Sequence, residues 1–522
     1  MTQLSPGARV ARGATYMFAG GFAASVIGLI YFMIITRVFV GERATEMGIF
    51  AALNIILAIA QTFGTLALTS AAVKYIAHYL AEKQIDKAKS VASVVLRVCV
   101  VTSILAFCVL FFSAEWLSLW LFGNSSQILL FQALAFVAFF NILYLGLLSF
   151  LQGLQKMFEI SSISLVYAII QSFLGIYLIL NGWGLLGIVY GWLIGVVVSS
   201  LTGLALSYRY LGISRKSHPI RPLIEFSLPL YLSQILTFFV GSVDQIFVLS
   251  FMGAGQVLGV YYIAVRASVV PSLIFTSIIA ALFPQLSELY ARNGATSLKG
   301  AFHTSTRYAM LIGFPTIIGL ATLAYPIVIL FAGSGYAEAA LPLIILSISS
   351  LPTTLGVAIT AMLMTMERTK TASLITVASI LSEIFSLYVA LAYLNWGILG
   401  AALTRVVAAV IGFALGTLSL RKNPGISFDK DALWKGSVSC AIMVFAIVLL
   451  DVIRQYFTSS QQFLIFRLHL LPIYVIVGAV AYFLSLVTLR AIKKQDIELA
   501  REYLPNRLKP IAKWLGRIAS VE

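Results

Sequence analysis

Apolar residues in this chain gather in unbroken runs of about twenty or more, separated by short stretches where Lys, Arg, Gly, Asn and Pro collect. A helix rises about 1.5 Å per residue, so a run of that length crosses the ~30 Å hydrocarbon core of a bilayer. The pattern predicts spans at 15–36, 49–70, 91–112, 128–150, 160–180, 185–207, 224–251, 257–283, 306–332, 340–364, 372–393, 398–420, 434–453 and 470–489. Lipid offers no partner to an open backbone group, which leaves helices or closed barrels. These runs are too long and too continuously apolar for barrel strands. The expectation is an all-α polytopic membrane protein with about fourteen transmembrane helices.

The pattern then repeats. Gly41 and Gly48, in TRVFVGERATEMGIFA, correspond to Gly253 and Gly259, in FMGAGQVLGVYYIA, 212 and 211 residues later. NGWGLLG at 181–187 corresponds to LNWGILG at 394–400, with Trp183 and Trp396 213 residues apart. Tyr79 with Tyr290 and Lys87 with Lys299 keep the same spacing. Six spans between copies give both copies one orientation and predict an axis along the membrane normal. The domains expected are an N-lobe at 8–208 (spans 1 to 6) and a C-lobe at 222–422 (spans 7 to 12), joined by a basic linker at 208–222. Two appended helices follow at 434–489, then a basic tail at 490–522. In the tail Leu508, Ile511, Trp514, Leu515 and Ile518 share one face and Lys509, Lys513 and Arg517 another, as in a helix lying on an anionic cytoplasmic leaflet. No proline stands between Pro6 and Pro219, whereas the second half carries Pro229, Pro271, Pro284, Pro315, Pro326, Pro342 and Pro352. Proline kinks helices, which predicts bends in spans 7 to 10 and nearly straight spans 1 to 6.

Composition agrees with the pattern. At 60% hydrophobic and 10% charged residues, with a mean hydropathy of +0.99, the chain could not cover a water-soluble surface. Its formal charge of +16 is distributed by side. With the N-terminus inside, only Arg37, Arg43, Arg454 and Arg467 fall in outer loops. This asymmetry predicts a multi-pass protein of the cytoplasmic (cell) membrane with both termini in the cytoplasm, and it accounts for the basic charge without nucleic acid. Arg9 and Arg12 precede a run too long for a signal-peptide core, so it reads as a retained span. Cys99, Cys108 and Cys440 lie inside apolar runs, and His78, His218, His303 and His469 have no metal-ligand spacing. Without a phosphate-binding loop, nucleophile elbow or paired-carboxylate loop, no catalytic residue, metal or cofactor is implied.

The two six-span halves, the segment TRVFVGERATEMGIFA after the first span, and FSLPLYLSQI with SVDQIFVLSFMGAGQVLGVYYIA opening the second half resemble a known family. It is the polysaccharide-transport branch of the multidrug/oligosaccharidyl-lipid/polysaccharide exporter superfamily, the oligosaccharide-lipid flippases. The resemblance covers about residues 8–422. It implies two lobes around a central cavity with alternating access, and as partners a lipid-linked oligosaccharide, membrane lipids and glycan assembly enzymes.

An ionised side chain near the bilayer centre costs about 2.5–3.5 kcal/mol on insertion scales, so each such residue needs a reason. Arg37, Asp244, Arg266 and Arg405 are the candidates for substrate binding. Arg97 and Arg307, 210 residues apart near the inner face, are candidate inner-gate residues, with snorkelling to headgroups the equal alternative. Glu383, beside Ser382 and Ser386, is a candidate proton or cation site, or else a buried protonated glutamate. Asp244 and Arg266 lie at similar distances from the Gly253–Gly255 turn, as an internal ion pair would. Arginine's planar fork suits a diphosphate. The expected function is therefore translocation of a diphosphate-linked oligosaccharide from inner to outer leaflet. A cation-coupled multidrug exporter is the alternative on the same fold, disfavoured by the excess of Arg over acids. A membrane-embedded glycosyltransferase or polymerase is the alternative of another class, disfavoured by the short loops.

Overall fold

In a computed structural model that describes residues 6–210, 212, 218–269, 271, 298–421, 428–458 and 470–492, the apolar runs are helices. The first unit, residues 1–262, carries α1 (Pro6–Val38), α2 (Ala44–Thr65), α3 (Leu68–Ala81), α4 (Ile85–Phe112), α5 (Ala114–Phe122), α6 (Ile128–Gly153), α7 (Met157–Leu178), α8 (Gly184–Tyr210), α9 (Ile220–Met252) and the first turns of α10 (Gln256–Ser268). The second unit, residues 263–522, carries the rest of α10, then α11 (Leu298–Thr322), α12 (Ala324–Ala332), α13 (Ala340–Thr365), α14 (Thr369–Tyr388), α15 (Gly397–Leu420), α16 (Lys430–Thr458) and α17 (Leu471–Thr488). No strand occurs among the described residues. The tail, most of the linker, Tyr290 and Pro284 lie outside them.

Eleven stretches among the described residues are long and apolar enough to cross a membrane, or twelve if the bent pair α11–α12 is one span. One of the eleven, Met157–Tyr210, is 54 residues long and contains a fold-back. Gly191 lies against the Gly175 backbone, and Gly195 against Gln171 and Tyr167. That antiparallel register makes α7 and α8 a hairpin of two predicted spans, its backbones brought close by residues without a Cβ. The span predicted at 257–283 lies partly outside the described residues, so fourteen is not reached among them.

The repeat is written into the backbone. Left-handed residues recur in pairs: Gly41 with Gly253, Gly123 with Gly333, Gln155 with Glu367, Gly182 with Asn395 and Gly184 with Gly397. The π-helical turns Ile179–Trp183 and Val389–Tyr393 close the corresponding helices α7 and α14. The compact units, however, part between Tyr262 and Ile263, not at the linker. The reason is that α9 packs on α2 and α3: Gln234 Nε2 donates to Thr65 Oγ1 at 3.1 Å, and Tyr231 meets Phe63 edge-on.

Proline is a poor guide to where the helices bend. α9 runs unbroken through Pro229 and α13 through Pro352, while the second span breaks in the proline-free half. There Leu66 and Ala67 both take left-handed backbone, at φ 48° and 52°, a region bulky residues enter only when their surroundings hold them there. The holding force is the burial of Leu68, Ala71, Ala72 and Ile76 of α3 against Val91, Val95 and Cys99 of α4. In the second half, α11 and α12 meet at 73°. The expectation of straight helices in spans 1 to 6 is thus corrected.

The appended helices α16 and α17 pack on each other and on α11. Met443, Ile447, Tyr474 and Tyr482 share a core with Met310 and Phe314, and Tyr482 Oη donates to the Leu311 carbonyl at 2.8 Å. Asp451, buried inside the predicted thirteenth span, accepts from Tyr474 Oη at 2.8 Å, Arg454 Nε at 2.7 Å and Gln455 Nε2 at 2.9 Å.

Candidate functional site

The first unit contains a helix crossing built from the repeated glycines. A Cβ at Gly48 on α2 would overlap the Gly255 carbonyl, and one at Gly259 would stand 2.9 Å from the Gly48 nitrogen and 3.0 Å from Met47 Cβ. Such an approach of two backbones is open only to glycine. Two residues past Gly48 and three past Gly259, Phe50 and Tyr262, themselves 212 apart, meet edge-on at 6.0 Å. Trp192 and Phe32 complete the aromatic cluster.

Asp244 lies beside this crossing, fully buried on α9 at 0% exposure. Its Oδ2 accepts from Tyr261 Oη at 2.6 Å, and its Oδ1 from the Gln245 backbone N–H at 2.8 Å. Two short hydrogen bonds to a carboxylate offset much of its desolvation. Tyr261 was not singled out from sequence, although a tyrosine hydroxyl two residues beyond Gly259, in the apolar run Leu258–Val265 that is buried on every side, is the signal that could have done so.

The arginines behave differently. Arg37 is exposed at the end of α1, where it donates to the Met33 carbonyl at 3.2 Å. Arg97 is exposed on α4, Arg266 is exposed on α10, and Arg405 is half-buried on α15. Arg266 belongs to the second unit and Asp244 to the first. In the second unit, Glu383 on α14 is buried at 4% exposure, with Ser386 and Ser382 bonded along the same helix. Gly412 facing Ser379 and Gly400 facing Ala390 set an antiparallel register between α14 and α15. That register puts Arg405 level with residues 385–386, within one turn of Glu383 (about 5 Å along the axis). These two candidates are therefore brought to one depth on neighbouring helices.

Arg307, by contrast, is buried in an ion pair. Its Nη1 stands 3.3 Å from Asp429 Oδ2, and its Nη2 donates to the Ala491 carbonyl. Asp429 Oδ1 accepts from the Ala432 N–H at 2.9 Å, capping α16 as an aspartate just before a helix does, and His303 Nε2 lies 3.7 Å from Oδ2. Arg307 thus fastens α11 to the start of α16 and to the segment that follows α17, a setting unlike that of exposed Arg97. Removing one partner of a buried pair costs about 3–5 kcal/mol. Asp429→Ala is therefore expected to lower the thermal unfolding midpoint in detergent by several degrees. Glu225→Ala, which removes the exposed partner of Arg221, should leave the midpoint unchanged. Equal midpoints for the two variants would show that the pair is not structural.

Among the described residues no group of His, Cys, Asp and Glu could hold a metal ion.

Residues 43–341 match the model of a family described as polysaccharide biosynthesis protein. The chain is 24% identical over 296 residues to the probable low-salt glycan biosynthesis flippase Agl15 of Haloferax volcanii, across 56% of this chain and 62% of that relative. The chain thus spans less than two thirds of the relative's length. Among solved structures it is similar to the lipid II flippase MurJ in an inward closed conformation, with a TM-score of 0.68 and 20% identity over 90% of this chain and 97% of that one. It is also similar to an inward-facing multidrug resistance transporter of the MATE family, with a TM-score of 0.63 and 19% identity over 77% and 96% of the two chains. Both likenesses are of fold.

Proposed function

Because this chain belongs to the polysaccharide biosynthesis protein family, we propose that it is a flippase for a lipid-linked oligosaccharide of the polyprenyl or dolichyl diphosphate type. It carries the head group from the inner to the outer leaflet of the cytoplasmic membrane by alternating access of its two repeats. Membrane lipids surround it, glycan assembly enzymes on either side are its candidate partners, and both termini lie in the cytoplasm.

The observation that carries this reading is the sorting of charge by burial. Of the seven intramembrane charges singled out, the two acids, Asp244 and Glu383, are buried, and so is Arg307, in its pair with Asp429, while the other four arginines, Arg37, Arg97, Arg266 and Arg405, are exposed or half-buried. A ligand moving among these helices meets cationic forks, which favour phosphate oxygens over a cationic drug. The likeness to multidrug transporters is confined to fold, and the buried acids count against that alternative. Energetically, accessible Arg is useful only if an anion offsets its placement in the bilayer.

Arg266→Ala and Arg405→Ala are each expected to reduce glycan delivery to the cell surface severalfold, with membrane protein levels largely intact. Lysine should restore only part of the activity, because the bidentate geometry is lost. Normal surface glycan in both alanine variants would remove the cationic-cavity reading.

A further inference from the structure

Between α2 and α4 the first unit holds an apolar cavity of about 410 Å³, lined by Ile56, Ala60, Phe63, Thr102, Leu105 and Val109 among others. Its origin is the break at Leu66 and Ala67. Below the break, α3 packs tightly on α4 through Ile76, Val91 and Val95. Above it, α2 stands away from α4, and the space between them stays open. Gly64, in the wall of the gap, rests on Ile142 of α6. The front is open, since Phe63, Leu105 and Val109 are exposed. The volume falls within the ~300–1,000 Å³ usual for small-molecule sites, yet the lining is almost wholly apolar.

One charge adjoins this groove. Arg97, Val101 and Leu105 follow one another at four-residue spacing on α4 and share a face. Arg97 lies about 12 Å below Leu105 along the helix, and long helical side chains lean toward the helix N-terminus. That is the end carrying Asp86, Lys87 and Lys89. The order is therefore cation, exposed apolar strip, apolar groove, which complements an anionic head joined to one hydrocarbon chain. From Thr102 to Leu110 the groove is about 12 Å long, about two fifths of the ~30 Å hydrocarbon core.

We propose that the α2–α4 groove binds the polyprenyl chain of the carrier lipid, with its phosphate on Arg97. This rests on the flippase reading, and it reassigns Arg97 from gate to lipid-head contact. The strained break keeps the groove open, so the chain has a fixed track at the lobe surface while the head group moves.

The test uses the full-length protein in liposomes and a polyprenyl phosphate bearing a photoreactive diazirine near the end of its chain. After irradiation, label should concentrate in peptides of α2 and α4. Ala60→Phe and Ala106→Phe, which fill the groove from opposite walls, should each reduce labelling at least fivefold, and Arg97→Gln should reduce it severalfold. Excess unlabelled polyprenyl diphosphate should compete, and excess phosphatidylglycerol should not. Label spread evenly over all lipid-facing helices, or competition by phosphatidylglycerol, overturns the proposal. Head-group translocation is measured in the same liposomes. Transport that persists while groove labelling is absent defeats the groove alone. Groove labelling without transport defeats the flippase reading alone.

Discussion

A leucine at Gly48 is expected to lower glycan delivery to the cell surface by at least about tenfold while the protein stays in the membrane. At Gly48 a Cβ already overlaps the Gly255 carbonyl, so a longer side chain has no rotamer that fits the crossing. Overpacking of this kind costs about 1–3 kcal/mol. Conformers of a transporter differ by only a few kcal/mol, and 1–3 kcal/mol corresponds to about 5–150-fold in their ratio. The leucine should therefore depopulate the conformer in which Gly48 and Gly259 touch. Gly48→Ala should show the same direction with a smaller loss. In a background with the native cysteines replaced, a cysteine at buried Phe50 should react with an impermeant maleimide faster when Gly48→Leu is present, because the ring pair with Tyr262 separates as the crossing opens. Unchanged surface glycan at unchanged protein level would mean that the crossing is a static seam and not a moving contact.

The glycines of that crossing were legible in the chain as repeat mates, but not as neighbours. Spacing shows that Gly48 and Gly259 are equivalent; only packing shows that equivalent positions meet. The helices themselves were legible because a membrane span is set by length and apolarity, properties of one segment alone. The break at Leu66 and Ala67 was not. Neither residue is a helix breaker, and the bend comes from α3 burying Leu68 and Ile76 elsewhere, a tertiary force that no local propensity records. Asp244 was found as a charge in an apolar run, and charge then drew attention to Arg266. A carboxylate is equally well served by hydroxyl and amide donors, and Tyr261 supplies one 17 residues away. Asp429 carries a readable signal, a capping aspartate ahead of a helix, but it lies beyond the repeat, where pattern matching stops. Asp451 shows the opposite failure: an acid in plain view within an apolar run, explained only by three donors that converge on it.

Membrane potential alone is expected to drive net outward movement of the head group. Moving negative charge outward across an inside-negative membrane is favourable by about 2.3 kcal/mol per charge per 100 mV, so a diphosphate with about two charges gains on the order of 4–5 kcal/mol. At 1.4 kcal/mol per decade, that is a bias of roughly a thousandfold. A bias of that size requires the protein's own charges to stay nearly fixed. The buried pair of Arg307 and Asp429 and the hydrogen-bonded Asp244 fit that requirement, each being neutralised or held within its own unit. Glu383 offers the rival scheme. It is buried at the depth of Arg405 on the neighbouring helix, where loading and releasing a proton would couple transport to a proton gradient. The two schemes separate in liposomes under a potassium–valinomycin potential with no proton or sodium gradient. Potential-driven transport should proceed there, and it should persist in Glu383→Gln. Transport that ignores the potential, follows an imposed proton gradient, and loses that response in Glu383→Gln would transfer the driving role to the glutamate.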